Sequence, residues 1–135
     1  MEPAQMEIAE KLPLGDRAPL AARRAVDCLG DLAPSHVRDM ARIIVSELVT
    51  NIVQHSGMPW GAKIEVRILL GHRRVRIEVA DSGSGFELKV RTPPTDSPYG
   101  RGLLVVDQVA DRWGSTGNGG VKIWAELDLP LSEVA

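Results

Sequence analysis

Two glycine-containing segments in the second half of the chain have the composition of a nucleotide site. In residues 81–86 (DSGSGF), the glycines at 83 and 85 permit positive φ angles and let a ligand approach the backbone closely. Asp81 carries a carboxylate acceptor suited to the exocyclic amine of a base. A flexible surface turn is the alternative interpretation of Asp81, Gly83 and Gly85.

The second segment consists of Gly100, Arg101, Gly102 and Leu103, and it precedes a short helical stretch. Free N–H groups and the helix dipole make a helix N-terminus attractive to anions such as phosphates. The Arg101 guanidinium would add a charge-assisted hydrogen bond to a phosphate oxygen. A single GxG is weakly specific by itself.

Neither glycine segment fits the two common nucleotide fingerprints. Leu88 and Val105 stand where a dinucleotide-binding motif requires its third glycine. No glycine segment continues into a lysine followed by Ser or Thr, as a P-loop does. A nucleotide site here therefore belongs to another class.

A third candidate group lies earlier in the chain, within an apolar helical segment. Glu47 and Asn51 are four residues apart, so on a helix their side chains lie one turn apart on the same face. Their stripe borders the apolar face, between the helix layer and the sheet. A solvated polar stripe near the helix end is the alternative interpretation.

Two longer helices are predicted before the glycine segments. Residues 19–32 are the first, with Leu20, Ala21, Val26 and Leu29 on the buried side and Cys28 as a further core or interface candidate. Ser35 is a plausible N-cap for a helix over residues 36–55. The residues predicted to be buried in that helix recur at three- and four-residue spacing: Val37, Met40, Ala41, Ile44, Leu48 and Ile52.

Period-two alternation predicts strands over residues 62–70, 75–79 and 121–129, each with one apolar and one polar face. Residues 6–14 are a candidate edge strand, residues 112–116 a fourth strand, and residues 101–110 a short helix. The predicted fold class is α+β, a two-layer sandwich of helices on a mixed, mainly antiparallel sheet.

Composition limits the class of protein. A length of 135 residues suits one domain over residues 1–135, and the net charge of −2 argues against direct nucleic-acid binding. Cys28 is the single cysteine, so no intrachain disulfide forms. No apolar run approaches the roughly 20 residues of a membrane span, and residues 1–14 lack the pattern of a secretory signal. We expect a cytoplasmic protein.

Taken in order, the three motifs resemble the nucleotide-binding boxes of the GHKL superfamily, which includes gyrase, a heat-shock chaperone, histidine kinases and mismatch-repair ATPases. The closest resemblance is to the anti-sigma-factor serine kinases, in residues 47–56 (ELVTNIVQHS), 81–86 and 100–107 (GRGLLVVD). It extends over residues 12–129, which we take as the domain core. The combination of motifs is highly specific.

The resemblance implies an ATP- and Mg²⁺-dependent kinase and assigns roles to the motif residues. Asn51 would coordinate Mg²⁺, Glu47 would be the catalytic base, and Asp81 would accept a hydrogen bond from the adenine amine. Gly83 would line the base pocket, and Gly85 would let a lid over residues 87–99 leave the sheet. The GRGL residues Gly100, Arg101, Gly102 and Leu103 would cradle the phosphates.

The implied function is phosphorylation of a serine on an anti-anti-sigma (STAS-type) partner, together with sequestration of a sigma factor, by a homodimer. A departure from the family pattern leaves an alternative open. The superfamily has a Ser or Thr hydroxyl near adenine at the start of the last strand, where this chain has Val121 and Lys122. The alternative is an ATP-binding docking module without phosphotransfer; an ATPase fragment of a larger machine is a third option.

Overall fold

A computed structural model describes residues 5–55, 61–81, 98–116 and 122–130 of the chain. Three helices and five strands are described, together with a 3₁₀ turn at Gly30–Leu32. The elements in chain order are β1 (Met6–Pro13), α1 (Ala18–Asp27), α2 (Ser35–His55), β2 (Lys63–Leu70), β3 (Arg74–Asp81), α3 (Pro98–Val109), β4 (Arg112–Thr116) and β5 (Lys122–Asp128). Within these ranges, no helix is both long enough and apolar enough to cross a membrane.

The strands form one sheet in the order β1-β2-β3-β5-β4, and each described pair of neighbours is antiparallel. The α+β sandwich is confirmed, but the mixed character expected of the sheet is wrong for these strands. β3 and β4 do run in the same direction, since each is antiparallel to β5. Because β5 lies between them, this shared direction produces no parallel pair.

The helices cover one face of the sheet, here called the inner face, and the core lies between the two layers. Period-two alternation places one set of strand side chains in that layer, and they are almost fully buried. These residues are Ile64, Val66, Ile68, Leu70, Val75, Ile77, Val79, Ile123, Ala125 and Leu127. The opposite face of the sheet, here called the outer face, carries the polar residues that alternate with them.

The prediction for the first helix needs two corrections. The α-helix ends at Asp27, and the chain continues through the 3₁₀ turn, where Gly30 has a φ of 51°. Leu20 is 45% exposed and Cys28 is exposed, so neither belongs to the core. The buried face is made mainly of alanines, which give a weak hydrophobic pattern, and it was therefore not identified from the sequence. Its residues are Ala18, Ala22, Ala25 and Val26, with Leu29 just beyond the helix.

The prediction for the second helix is accurate except at its start: Ser35, predicted to be the N-cap, is the first helical residue, and Arg38 N–H donates to Pro34 O. α2 spans twenty-one residues, and its buried residues include Val37, Ala41, Ile44, Leu48 and Ile52. Met40 is half-buried but packs against the same core. α2 lies between α1 and α3 and also contacts β3 and β5, so it is the central helix of its layer.

Candidate functional site

The predicted pair Glu47 and Asn51 lies at the boundary between core and solvent on α2. Both residues are half-buried, while the neighbours Leu48 and Ile52, each one position later, are 0% and 2% exposed. Gln54, further along the helix, is exposed. The pair thus forms the edge of the buried face, where polar groups are sheltered but can be reached by a ligand.

Neighbouring contacts show which flank of α2 carries this pair. Arg23 Nη1 of α1 donates a 2.8 Å hydrogen bond to Ser46 Oγ, so Ser46 marks the α1 side. At about 100° per residue, Glu47 lies roughly 100° and Asn51 roughly 140° around the helix from Ser46. Since α2 packs between α1 and α3, Glu47 and Asn51 occupy the flank on the α3 side.

Asp81 is the last residue of β3 and pairs in register with Ile64 of β2. The backbone of Asp81, the residue predicted to bind the base, therefore lies at the end of a central strand in the sheet that α2 covers. Gly83 and Gly85 lie outside the described residues. So does the predicted lid over residues 87–99, except for its last two residues, which begin α3.

The second glycine segment is placed differently from the prediction. α3 begins at Pro98, three residues before the predicted start at residue 101, so Gly100 lies in its first turn and Gly102 begins its second. Proline suits a first helical position because it lacks the N–H that would be unpaired there. Free N–H groups belong to the first turn, so the backbone N–H offered to an anion is that of Gly100 rather than Gly102.

Two contacts position α3 relative to the other elements. Leu103, predicted to belong to the phosphate segment, is 6% exposed, and Val106 is fully buried against the core. Near the other end, Trp113 Nε1 of β4 donates a 2.9 Å hydrogen bond to Asp107 Oδ1. α3 also packs along α2, which brings the glycine segment and the Glu47–Asn51 flank into the same layer.

The start of β5 is the position at which the family pattern has a Ser or Thr hydroxyl that this chain lacks. Lys122 pairs with Ala80 and Thr116, and its Nζ lies 3.5 Å from Glu78 Oε1 on the outer face. Its ammonium group is therefore directed away from the helix layer. Val121, the other candidate for this position, lies outside the described residues.

The outer face contains charged residues whose burial the sequence did not predict. The Glu78 and Glu126 side chains are 8% and 12% exposed although no described helix covers them. Arg76 bridges the two carboxylates, with Nε 2.8 Å from Glu78 Oε2 and Nη1 2.9 Å from Glu126 Oε2. Opposite charges on neighbouring strands were the signal in the sequence, but it becomes readable only once β3 and β5 are known to be paired.

Burial and pairing act in opposite directions on these carboxylates. Burial would raise the pKa of Glu78, but the hydrogen bond from Arg76 and the charges of Lys122, Arg76 and Arg67 lower that pKa below its ordinary value. Burial would likewise raise the pKa of Glu126, and hydrogen bonds from Arg112 and Arg76 lower it. Both groups are carboxylates at neutral pH.

In the parts of the chain that the structure describes, no group of three or more His, Cys, Asp or Glu side chains is placed to hold a metal ion. The candidate groups in the helix layer are Glu47 and Asn51 on α2 and the first turn of α3, a helix that packs along α2. The end of β3 at Asp81 lies in the sheet below that layer.

The chain belongs to the family of histidine kinase-like ATPase domains, whose family model matches residues 16–127. It is thus a GHKL ATPase domain, and the superfamily assignment made from the motifs is confirmed. Membership of an ATPase family implies that the domain binds a nucleotide.

Among solved structures, the chain is similar in fold to the crystal structure of the RsbU and RsbW domains of Rv1364c from Mycobacterium tuberculosis. The TM-score is 0.69 and the sequence identity 18%, over 93% of this chain and 33% of that one. This chain thus spans about a third of the length of that neighbour. No curated protein matches the sequence.

Proposed function

We propose that the chain is a serine kinase that uses Mg-ATP to phosphorylate an anti-anti-sigma protein of STAS type and that also sequesters a sigma factor. The observation that carries the proposal is the half-buried Glu47–Asn51 pair on the α3 flank of α2. A carboxylate and an amide one turn apart supply a proton acceptor and a metal ligand from the same helix face.

The donor set fits Mg²⁺ in a nucleotide site. Mg²⁺ prefers oxygen ligands and keeps waters and substrate phosphate oxygens in its coordination shell, so one side-chain oxygen such as that of Asn51 is sufficient from the protein. The bound ion would offset the negative charge of the phosphates. Asp81 would select the adenine amine, and the N-terminal turn of α3 with Arg101 would bind the phosphates.

In the proposed reaction, the hydroxyl oxygen of a partner serine attacks the γ-phosphorus of ATP. The bond from that phosphorus to the β–γ bridging oxygen breaks, and ADP leaves. The Glu47 carboxylate orients the hydroxyl and accepts its proton. Its position at the edge of the buried face gives it access to a serine that a docked partner presents.

A second candidate function is an ATP-binding module that docks a partner and transfers no phosphate. The observation that favours it is the position of Lys122, whose ammonium group pairs with Glu78 on the outer face. Lys122 therefore does not replace the hydroxyl that the family uses near adenine. The loss of one hydrogen bond costs about 0.5–1.5 kcal/mol of binding free energy, which weakens affinity without removing the site.

The partner and oligomer assignments belong to the same proposal. The resemblance of residues 47–56 and 100–107 to anti-sigma-factor kinases supports the sigma factor, the anti-anti-sigma protein and a homodimer. The similarity to a structure that contains RsbU and RsbW domains supports the fold, and the partner and oligomer assignments depend on the motifs.

The decisive experiment is transfer of radiolabelled phosphate from ATP to anti-anti-sigma proteins of the same genome at saturating ATP. Glu47→Ala is expected to lower the rate of transfer by roughly 10²–10⁴-fold, because it removes the proton acceptor in the transition state. Its affinity for Mg-ATP is expected to remain near that of wild type. Asn51→Ala is expected to lose binding and transfer together, and calorimetry with and without Mg²⁺ separates these effects.

Gln54→Ala provides the matched control, because Gln54 is an exposed residue on the same helix and its truncation should change neither transfer nor affinity. Wild-type protein that binds ATP and docks a partner, yet phosphorylates none of the candidates, would establish the docking module instead. Transfer that survives Glu47→Ala at the wild-type rate would remove Glu47 from the catalytic role.

A further inference from the structure

The outer face of the sheet has a charge opposite in sign to that of the whole chain. Alternate positions of residues 7–13, 63–69, 74–80, 112–116 and 122–128 lie on this face according to the strand register. They contribute seven basic and five acidic side chains, a net charge of +2, whereas the whole chain carries −2. Basic charge is therefore concentrated on one surface.

The basic groups also lie nearer to solvent than the central acidic ones. The side chains of Arg74, Arg112 and Lys122 are 44%, 42% and 39% exposed, against 8% for Glu78 and 12% for Glu126. The central carboxylates thus lie beneath the cations, which are closer to solvent. A partner approaching the middle of the face meets guanidinium and ammonium groups first.

Two of these cations are only loosely engaged. Arg74 Nη1 is 3.5 Å from Glu126 Oε1, and Lys122 Nζ is 3.5 Å from Glu78 Oε1. Within the described residues, Glu78 Oε1 is buried and accepts no hydrogen bond, since its neighbouring cations stand at ion-pair distance. Arg76, in contrast, forms close hydrogen bonds to both central carboxylates.

An aromatic anchor lies beside the charged centre. The Arg76 guanidinium is 4.5 Å from the centre of the Trp124 ring. The indole lies over Gly114, where a Cβ atom would be 3.0 Å from Trp124 Cζ2, so a side chain at position 114 would press on the ring. Trp and Arg are the residue types most enriched at the energetic centres of protein interfaces.

We propose that the outer face is a docking surface for an acidic segment of a partner protein, a segment rich in Asp and Glu. Its carboxylates would pair with Arg74 and Lys122, the two loosely engaged cations, and Trp124 would provide the apolar contact. Complementary charge of this kind steers association and sets the register of the partner. The inference concerns a surface separate from the nucleotide site and does not depend on the proposed kinase activity.

Two other occupants fit the charges less well. A second copy of the chain packed face to face would bring two surfaces of net positive charge together, which like-charge repulsion opposes. A nucleic acid requires a large surplus of cations to neutralise its phosphates, and here carboxylates already offset most of the basic groups. An acidic protein segment needs only a modest local surplus of positive charge.

The test measures binding of fluorescein-labelled poly-L-glutamate by anisotropy at low and high NaCl. Wild-type protein is expected to bind the peptide, and the double variant Arg74→Gln/Lys122→Gln is expected to bind it roughly tenfold more weakly. Both substitutions leave the Arg76 hydrogen bonds to Glu78 and Glu126 in place, and circular dichroism verifies the fold. The control Arg17→Gln/Arg24→Gln makes the same charge change at exposed positions of the α1 region and should bind as wild type does.

No binding of poly-L-glutamate by wild type, or an equal loss in both double variants, overturns the proposal. Preferential binding of a labelled oligothymidylate would assign the face to nucleic acid instead. A dimer seen by sedimentation that the outer-face variant alone dissociates would assign it to a second copy. ATP affinity is measured for each variant and should stay unchanged, which distinguishes failure of this proposal from failure of the proposed kinase activity.

Discussion

The two faces of the sheet are buried by different means, and β3 shows both. Its inner residues Val75, Ile77 and Val79 are fully buried under the helices, whereas Glu78 points outward and its side chain is still only 8% exposed. On the inner face, apolar surface is removed from water by helix packing. On the outer face, ion pairs and long arginine stems cover the carboxylates.

This difference predicts how each face responds to substitution. Hydrophobic burial is non-directional and insensitive to pH, and its loss leaves a cavity. A buried ion pair depends on geometry and on protonation, and its net contribution is small because desolvation offsets much of the Coulombic attraction. The inner face should therefore dominate stability, while the outer face should determine how stability varies with pH and salt.

The candidate site belongs to neither face. Glu47 and Asn51 lie where the core meets solvent, and Leu48 and Ile52 beside them provide the packing. Substitution of either polar residue should therefore change chemistry with little effect on folding. This separation is what makes the Glu47→Ala and Asn51→Ala comparison interpretable.

The largest stability effect is expected on the inner face. Ile77→Ala should lower the free energy of unfolding by about 2–5 kcal/mol, because it leaves a cavity in a fully buried layer. Urea denaturation followed by circular dichroism measures the change. Ile43→Ala is the matched control, since Ile43 is 44% exposed on α2 and should change stability by less than about 0.5 kcal/mol. Similar losses for the two variants would contradict the dominant contribution of the buried inner face to stability.

A smaller effect is expected at the buried carboxylate of the outer face. Glu78→Gln should lower the free energy of unfolding at neutral pH by about 1–3 kcal/mol, because Arg76 loses a charged hydrogen-bond partner. The pKa of Glu78 is lower in the folded than in the unfolded protein. The ionised Glu78 therefore adds to the free energy of unfolding at pH values above its unfolded-state pKa, and this contribution is lost as the pH falls through its folded-state pKa.

The difference between wild type and Glu78→Gln should accordingly shrink as pH falls below about 4.3, the ordinary value for glutamate. Urea denaturation at a series of pH values measures this. Glu10→Gln is the control, because Glu10 is exposed on β1 and its replacement should leave the pH profile unchanged. A difference that stays constant down to acid pH would mean that Glu78 stabilises the sheet by packing alone.

The smallest effect is expected at the edge of the outer face. Glu7 accepts hydrogen bonds from the Arg67 guanidinium, and the distance from Arg67 Nε to Glu7 Oε1 is 2.9 Å. The Glu7 side chain is nevertheless 46% exposed and the Arg67 side chain 35% exposed. Glu7→Gln should cost about 0.2–1 kcal/mol at low salt, and the cost should vanish in concentrated NaCl because salt screens exposed pairs. Thermal unfolding at two salt concentrations tests this, and a salt-independent cost above that range would place the pair among the buried interactions.

Local sequence patterns were sufficient to predict most elements. Alternation at residues 62–70 and 75–79 and helical spacing at residues 36–55 reflect how side chains project from a single strand or helix, so they can be read without knowing what packs nearby. The spacing of Glu47 and Asn51 likewise places them on one helix face. The order of the three motifs identified the superfamily, which the family match over residues 16–127 confirms.

Tertiary structure alone decided which elements became neighbours. The insertion of β5 between β3 and β4, the burial of Glu78 beneath Arg76 and Lys122, and the exposure of Leu20 all depend on contacts between distant parts of the chain. Long-range packing also determined that the flank of α2 that carries Glu47 and Asn51 is the one on the side of α3. Local patterns state which side of an element is apolar, but only long-range packing determines what covers it and how far a charged residue is removed from water.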